Sequence, residues 1–425
     1  MRGRLRVPGS KSYTHRAYFT ALLLGGGTVT NPLDSDDTRA TLQCLEEFET
    51  TVEANEQKKR IIPANTPPRL EANELDAVES GTLLRFLIPV VSLLSGPDEV
   101  TITGRDTLSN RSHTEVIQTL RDNGLKVEAS SPEDCIPITC YPGQGIEKGK
   151  ISLTARTTSQ HVSGWLLGLS AIGGGKIRIE GSPVSAPYID MTVRVLRKAG
   201  MDIDKRNGNY QIKRSEAHQF KYSVPADFSS AAFFVVGGLL TEGSLTLEGL
   251  DRKDIQADRA LVDFLLERNA PVEWITGSQM EGTPLRINGS YRPERFEFDA
   301  ERCPDLVPIL TVLGCFARGG CRIEKIGHLT NKESDRIART CEELSKVGLE
   351  ISSSSHYIEI VNNDRLVEPD HEVTLDAHGD HRLAMSFSIL GCVLGNVTVR
   401  GAECVSKSYP NFFTDLDKVT PSSGR

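Results

Sequence analysis

One pattern occurs six times along this chain of 425 residues, and it restricts the fold more than any other feature. A small or acidic polar residue opens an apolar, helix-like run, which ends near glycine and passes into a short alternating strand. The copies open at Ser10, Ser80, Thr158, Asp227, Asp305 and Asp380, at intervals of 70, 78, 69, 78 and 75 residues. A second element keeps the same phase: Leu120-x3-Gly124-x2-Val127, Leu196-x3-Gly200-x2-Ile203 and Leu344-x3-Gly348-x2-Ile351, with weaker copies headed by Leu45 and Leu266. A repeat of this length is a supersecondary unit that buries its apolar face against its neighbours. Two helical runs and three or four short strands per unit predict an α/β fold. Six units, taken as three plus three, predict two similar domains with the break near Val224-Pro225.

The opening helices are apolar on every side, as in Leu83 to Val91 and Ala231 to Leu240. Such helices are buried, so sheets must lie outside them. Their N-termini carry unsatisfied N–H groups and the positive ends of helix dipoles, which favour anions.

Composition narrows the function. The chain is 38% hydrophobic and 25% charged, with a net charge of −8. The acidic balance argues against non-specific nucleic-acid binding. No apolar run reaches membrane-spanning length without Gly, Pro or charge, and the first motif starts too early for a leader peptide. The nine scattered cysteines, an odd number with no C-x-x-C pair, read as reduced core thiols in a cytoplasm. The tail from Thr420 to Arg425 reads as frayed.

Several motifs can carry chemistry. In Pro8-Gly9-Ser10-Lys11-Ser12 with Arg16, accessible amides at a helix start combine with fixed positive charge, which suits phosphate or carboxylate. The spacing is not that of a P-loop, and a solvated cap with Ser12 gives the same residues. Glu79-Ser80-Gly81-Thr82 repeats the character, and Arg85, one turn inside an apolar helix, needs a partner or a ligand. Thr157-Thr158-Ser159-Gln160 is rich in donors but serves equally as a capping cluster. In Asn331-Lys332-Glu333-Ser334-Asp335-Arg336, helical spacing predicts Lys332 and Arg336 on one face with Glu333 beside them; a solvated charged face is the plain alternative. His378-Gly379-Asp380-His381-Arg382 opens another buried helix. Its histidines have metal-ligand character but no third ligand in sequence, so Asp380 reads as a cap and Arg382 as an anion clamp. Lys407 adds a cation in a polar turn.

As a set these motifs resemble the enolpyruvyl transferases that act on shikimate 3-phosphate. The matching segments are PGSKS (8–12) with Arg16, SDDTR (35–39), SGT (80–82), TSQ (158–160), PVSAPYIDMT (183–192), DFSSAAFF (227–234), PDLVP (304–308), NKESDR (331–336), GDHRLAM (379–385) and SKSYPNFF (406–413). They run in order along almost the whole chain. The resemblance implies two inside-out α/β domains, each of three repeats with buried parallel helices and outer sheets, closing over the ligands. Residues 9–224 would form one domain, mainly the shikimate 3-phosphate side. Residues 1–8 with 225–425 would form the other, carrying the phosphoenolpyruvate side and the catalytic carboxylates.

The implied reaction moves the enolpyruvyl group of phosphoenolpyruvate to the 5-hydroxyl of shikimate 3-phosphate and releases phosphate, with no cofactor or metal. By resemblance Lys11, Ser12, Arg16, Thr158, Ser159, Gln160, Ser185, Tyr188, Asp305, His328 and Lys332 hold shikimate 3-phosphate. Lys11, Gly81, Thr82, Arg111, Gln160, Arg336, Asp380, Arg382 and Lys407 hold phosphoenolpyruvate. Asp305, Glu333 and Lys11 are the catalytic candidates: Asp305 for the hydroxyl proton, Glu333 as donor to carbon, Lys11 beside the leaving phosphate. The chain departs from the family at Glu79-Ser80, where Asn-Ala is common, at Phe86 for Pro, at Thr158 for Ser, at His328 for Asn, and at Arg111, which lacks a following Pro. Room beside Gly81 predicts sensitivity to glyphosate.

The partners expected are the two small substrates alone, with neither nucleic acid nor membrane, and the protein is expected to be a cytoplasmic monomer. The alternatives are the sister transferase acting on UDP-N-acetylglucosamine, whose usual loop cysteine is missing from Thr103 to His113, and a non-catalytic anion-binding relative. An RNA-end-processing enzyme of similar repeat architecture would be expected to bind ATP and carry a nucleophilic His.

Overall fold

A computed structural model describes residues 1–420 except 56, 147–148, 215–218, 278–281 and 362–365; of the tail expected to fray, only Thr420 is described. The chain divides into two compact units, Lys11–Val224 and Met1–Ser10 with Pro225–Arg425. Helices and strands are numbered along the chain.

In the Lys11–Val224 unit the three opening helices are α1 (Lys11–Leu23), α3 (Gly81–Leu93) and α5 (Gln160–Ala171). Apart from a few residues near their starts they are buried, as their unbroken apolar faces require. Between them run α2 (Asp36–Glu46), α4 (Thr114–Asp122) and α6 (Pro187–Lys198), each apolar on one face only. Gly164 lets α5 approach α3 closely: a Cβ there would lie 2.5 Å from the Arg85 carbonyl oxygen and 2.7 Å from Pro89 Cγ. That approach brings Arg85 against the first residue of α5.

Three four-stranded sheets cover these helices. One contains β2 (Gly27–Thr30), β3 (Thr50–Ala54), β4 (Lys58–Pro63) and β13 (Phe220–Ser223). The next contains β5 (Glu74–Asp76), β6 (Val100–Thr103), β7 (Val127–Ala129) and β8 (Ile138–Cys140). The third contains β9 (Lys150–Thr154), β10 (Gly174–Glu180), β11 (Met201–Arg206) and β12 (Asn209–Arg214). Each has one parallel pair, entering through a buried helix, followed by antiparallel neighbours.

The other unit repeats the plan. Its buried helices are α7 (Phe228–Leu240), α9 (Val307–Cys315) and α11 (His381–Leu394), and its outer helices are α8 (Ala260–Glu267), α10 (Arg336–Ser345) and α12 (Phe412–Val419). One sheet contains β1 (Gly3–Arg6), β14 (Ser244–Glu248), β15 (Val272–Trp274) and β16 (Leu285–Asn288). Another contains β17 (Glu294–Asp299), β18 (Arg318–Glu324), β19 (Ile351–Ser353) and β20 (Tyr357–Ile360). The sixth repeat contributes the parallel pair β21 (Val373–Asp376) and β22 (Val397–Arg400).

Each unit is closed by a strand from far along the chain. β1 pairs in parallel with β14, Gly3 opposite Leu245, and β13 pairs in parallel with β2, Phe220 opposite Gly27. Each unit has its own hydrophobic core, with Met1, Leu5 and Val7 in the core of the Pro225–Arg425 unit. None of the nine cysteines, all described, is in a disulfide. No described helix is long and apolar enough to cross a membrane.

Candidate active site

The candidate side chains fall in two groups, one in each unit, gathered near helix starts. In the Lys11–Val224 unit Arg16 is 1% exposed and projects from the first turns of α1. Its guanidinium donates to Thr192 Oγ1 at 2.7 Å, to the Ser12 carbonyl at 2.8 Å, to the Tyr188 carbonyl at 3.0 Å and to Ser163 Oγ at 3.3 Å. All four acceptors are uncharged. Burial lowers its pKa to about 10, only partly offset by the tyrosines around it. Four of the residues expected to serve shikimate 3-phosphate, Ser12, Arg16, Tyr188 and the neighbouring Ser185, are therefore gathered here. Ser185 is buried and sits at φ 51°, a conformation that sharpens the turn into α6.

The starts of α3 and α5 are joined through Gln160. It accepts from Arg85 Nη1 at 2.6 Å and donates to Thr82 Oγ1 at 2.9 Å. Arg85 thus finds the partner that its place in an apolar helix demands. Gly81 faces both guanidiniums of the region: a Cβ there would lie 2.9 Å from Arg111 Nη1 and 3.1 Å from Arg85 Nη1. Ser80 caps α3 by accepting from Leu83 N. Glu79 accepts from the backbone and hydroxyl of Thr107, and Thr107 Oγ1 in turn accepts from Arg111. Arg111 is thereby oriented without the Arg-Pro pair of the family.

Thr158 and Ser159 differ in what they do locally. Thr158 Oγ1 accepts from Gln160 N at 3.2 Å, whereas the Ser159 side chain makes no capping bond. Glu115, which the sequence reading did not single out, holds the preceding loop by accepting from the backbone N–H groups of Arg156 and Thr157 and from both threonine hydroxyls, Thr154 and Thr157. Lys11 pairs with Asp37 at 2.8 Å, both only slightly exposed. Ser12 lies inside the first turn of α1, not at its cap.

Three histidines are buried in this unit. Burial first, then the charges of Lys11 and Arg16, holds His15 well below its ordinary range. Burial, then Arg85 and Arg111, takes His113 down to about 2. Burial also lowers His161, against the pull of Glu115. They contribute polarity without charge.

The second group has a different electrostatic character. Arg336 is 1% exposed and is enclosed by carboxylates. It donates to Asp380 Oδ2 at 2.8 Å, to Asp305 Oδ1 at 2.9 Å and to Glu333 Oε2 at 2.6 Å. Burial lowers its pKa, but Asp380, Glu333 and Asp305 more than reverse this, so it is raised. Arg382 Nη2 donates to the other oxygen of Asp305 at 3.2 Å. Burial pushes the Asp305 carboxyl up, yet Arg382, Arg336 and Lys332 outweigh burial and hold it well below the usual carboxylate range. Asp305 sits in the turn Pro304–Leu306 that leads into α9. Asp380 caps α11 by accepting from Arg382 N at 2.9 Å and also accepts from Ser334 Oγ. Lys407 reaches the same loop, donating to the Gly379 carbonyl at 2.9 Å.

One expectation is corrected. Lys332 and Arg336 do not share a helix face, because α10 begins at Arg336 with Asp335 as its cap and Lys332 is extended at φ −106° and ψ −155°. Asp335 captures the N–H of Ala338, which starts the helix there and leaves 332–334 as loop. Glu333 still meets Arg336, but from the loop. His328 is half-buried, with Nε2 unpartnered among the described residues, and burial followed by Lys332 lowers it to about 4. His378 pairs with the buried Glu343 at 2.8 Å, and Glu343 also takes Lys346 and the Asp376 N–H. Glu342, Glu343 and His378 are the described residues with metal-ligand spacing, and His381 is not among them.

The six helix-led repeats, three in each compact unit, have the fold of solved enolpyruvyl transferases. A solved structure of the enolpyruvyl transferase NikO from Streptomyces tendae matches it at a TM-score of 0.74 and 16% identity, covering 99% of this chain and 95% of that one. An EPSP synthase structure from Acinetobacter baumannii matches at a TM-score of 0.78 and 25% identity, covering 99% and 96%. A family model described as EPSP synthase (3-phosphoshikimate 1-carboxyvinyltransferase) matches residues 1–416. Curated relatives named 3-phosphoshikimate 1-carboxyvinyltransferase include those of Methanothrix thermoacetophila, 34% identical over 98% of this chain and 96% of theirs, and Archaeoglobus fulgidus, 34% identical over 99% and 97%. The chain belongs to the EPSP synthase family, enzymes of aromatic amino-acid biosynthesis that transfer the enolpyruvyl group of phosphoenolpyruvate to shikimate 3-phosphate.

Proposed function

We propose that this chain carries out the family's transfer with its two groups in different roles: the Lys11–Val224 group mainly binds, and the Asp305–Arg336–Arg382 group mainly does chemistry. The observation that carries this reading is that Asp305 is kept ionised by two buried guanidiniums beside a helix start. Anion binding alone needs the cations; it does not need Asp305 and Glu333 among them.

In this reading Arg16, Ser12, Thr158, Ser159, Gln160, Ser185 and Tyr188 hold shikimate 3-phosphate, with Lys332 and His328 adding contacts to it. Lys11, Gly81, Thr82, Arg111, Arg336, Asp380, Arg382 and Lys407 serve phosphoenolpyruvate, Arg336 and Asp380 by orienting their neighbours. Asp305 accepts or orients the proton of the 5-hydroxyl, whose oxygen bonds to the central carbon of phosphoenolpyruvate. Glu333 supplies a proton to the methylene carbon, and a tetrahedral adduct results. Loss of phosphate, assisted by Lys11, then regenerates the double bond as the methyl group gives a proton back. Guanidiniums held in place before the reaction stabilise the developing charge without reorganising. A base pinned by two guanidiniums is weak; an anionic ligand that recruits Arg382 would relax Asp305 toward a stronger one.

The test is phosphate release from phosphoenolpyruvate with either shikimate 3-phosphate or UDP-N-acetylglucosamine as acceptor. Release with shikimate 3-phosphate alone is expected; release only with the nucleotide sugar would overturn the acceptor, and release with neither would leave an anion-binding protein. We further infer a cytoplasmic monomer, supported by repeats that close two cores and by cysteines outside any disulfide. A dimer mass by light scattering would refute the monomer.

A further inference from the structure

Asp258 lies in the short turn Ala257–Arg259 ahead of α8, in the charge-rich stretch Asp251 to Arg259. Its side chain is nevertheless buried, the residue being 2% exposed. Oδ2 meets the Ser229 hydroxyl in the first turn of α7, and Oδ1 has no hydrogen-bond partner among the described residues. The turn is pinned in place. Gln256 donates to the Ala226 carbonyl at 2.8 Å, accepts from Phe228 N at 3.1 Å and donates its own N–H to Asp254 at 2.9 Å.

The charged groups facing Asp258 are Asp305 from the turn ahead of α9, Arg382 from α11 and Asp227 from the cap of α7, with the Cys303 thiol nearby. Arg336 is already shared by Asp305, Asp380 and Glu333. Arg382 in turn faces Asp305, Asp227 and Asp258 together. A buried carboxylate oxygen without a donor is costly, whereas a neutral carboxyl is far less so. Burial first, then Asp305, pushes the Asp258 carboxyl up to about 7, against the charge of Arg382 and the Ser229 hydrogen bond.

We propose that Asp258 is a positioning residue for the transfer: carrying a proton taken from solvent, it leaves the charge of Arg382 to the anionic substrate and lets Asp305 stay ionised, and on losing that proton it competes for Arg382 and weakens anion binding. The proposal rests on the roles given above to Asp305 and Arg382.

The pH dependence of kcat/KM for phosphoenolpyruvate tests it. The wild type is expected to fall as pH rises through about 7, by up to ~10-fold per pH unit. Asp258→Asn fixes the neutral form and is expected to remove that fall. Ser229→Ala deletes a hydrogen bond that favours the ionised carboxyl, so the midpoint should move to higher pH. Thermal unfolding gives a second readout that needs no turnover. The folded-state pKa is raised from an ordinary 3.8 to about 7, so between those values the unfolded chain ionises while the folded one keeps its proton. Stability conferred at low pH is therefore lost as pH rises to about 7 and constant above it. The Tm of Asp258→Asn relative to wild type should climb across that window and then level off.

An active Asp258→Asn enzyme that falls with the wild-type midpoint, or a Tm difference that ignores pH, would overturn the proposal. A wild type without turnover would overturn the functional reading instead, and the unfolding data would still decide whether Asp258 holds the proton.

Discussion

Arg16 and Arg336 are both fully buried guanidiniums at the helix starts of repeated units, yet they are built for opposite work. Arg16 is held entirely by uncharged acceptors, a threonine, a serine and two carbonyls. Its positive field is unneutralised, so it can be answered by a ligand anion. Arg336 is enclosed by Asp380, Asp305 and Glu333, and little of its charge is left to offer. It fixes three carboxylates in place and, with Arg382, holds the Asp305 carboxyl well below the usual range. In the function proposed above, the same residue on the same scaffold binds in one place and organises catalysis in the other, according to whether its partners are dipoles or charges.

The comparison can be broken most severely at Arg336. Replacing it by Met strands the fully buried Asp380 without its counter-charge, and loss of ~3–5 kcal/mol is expected in chemical denaturation. An unchanged midpoint would show that the carboxylates do not depend on it. Next comes Asp305→Asn, where kcat should drop by ~10²–10⁴-fold with the circular dichroism of the wild type retained; near-wild-type turnover would remove Asp305 from the chemistry. Arg16→Met loses charge-assisted bonds and should raise KM for shikimate 3-phosphate by roughly 10–150-fold, with a smaller change in kcat. An effect mainly on kcat would erase the distinction between the two arginines.

Gly81→Ala is gentler. Its Cβ would press on the flexible ends of Arg111 and Arg85, so a loss of about 1 kcal/mol in phosphoenolpyruvate affinity is expected, together with a higher glyphosate concentration for half-inhibition. Equal inhibition of both proteins would show that Gly81 does not border the inhibitor. The smallest effect belongs to Arg39→Ala, whose partners Asp34 and Asp36 are half exposed like itself; under ~1 kcal/mol should be lost by thermal unfolding.

The buried helices were legible because an all-round apolar run has few alternatives to burial, and each of the six repeats places such a run before a strand. The positions of the cations were legible for the same reason: Arg85 and Arg382 interrupt runs that otherwise contain no Lys, Arg, Asp or Glu, and Arg16 shares its run with Lys11 alone. Their partners were not legible. Glu115 and Asp37 act on loops and side chains 26 to 42 residues away, a span within one repeat that local patterning cannot bridge. Asp258 was hidden by its charged neighbours, since a stretch opening with Asp251, Arg252, Lys253 and Asp254 looks solvated although both Asp254 and Asp258 turn inward. The start of α10 was ambiguous for a different reason: five polar residues in a row admit several caps, and it is Asp335 that accepts from Ala338 N.

The pairing of β1 with β14 bears on how the molecule is made. The strand Gly3–Arg6 leaves the ribosome well ahead of its partner, Ser244–Glu248, which follows about 240 residues later. At roughly 5–20 residues per second the wait is on the order of ten to fifty seconds. Meanwhile the Lys11–Val224 unit can complete itself once Phe220–Ser223 emerges to pair with β2. Through that interval Leu5 and Val7 stay outside the core they will join, on a segment with an open edge. Synthesis of this protein therefore contains a built-in period of exposure, during which one domain is finished and the other is waiting for its own first strand to be used.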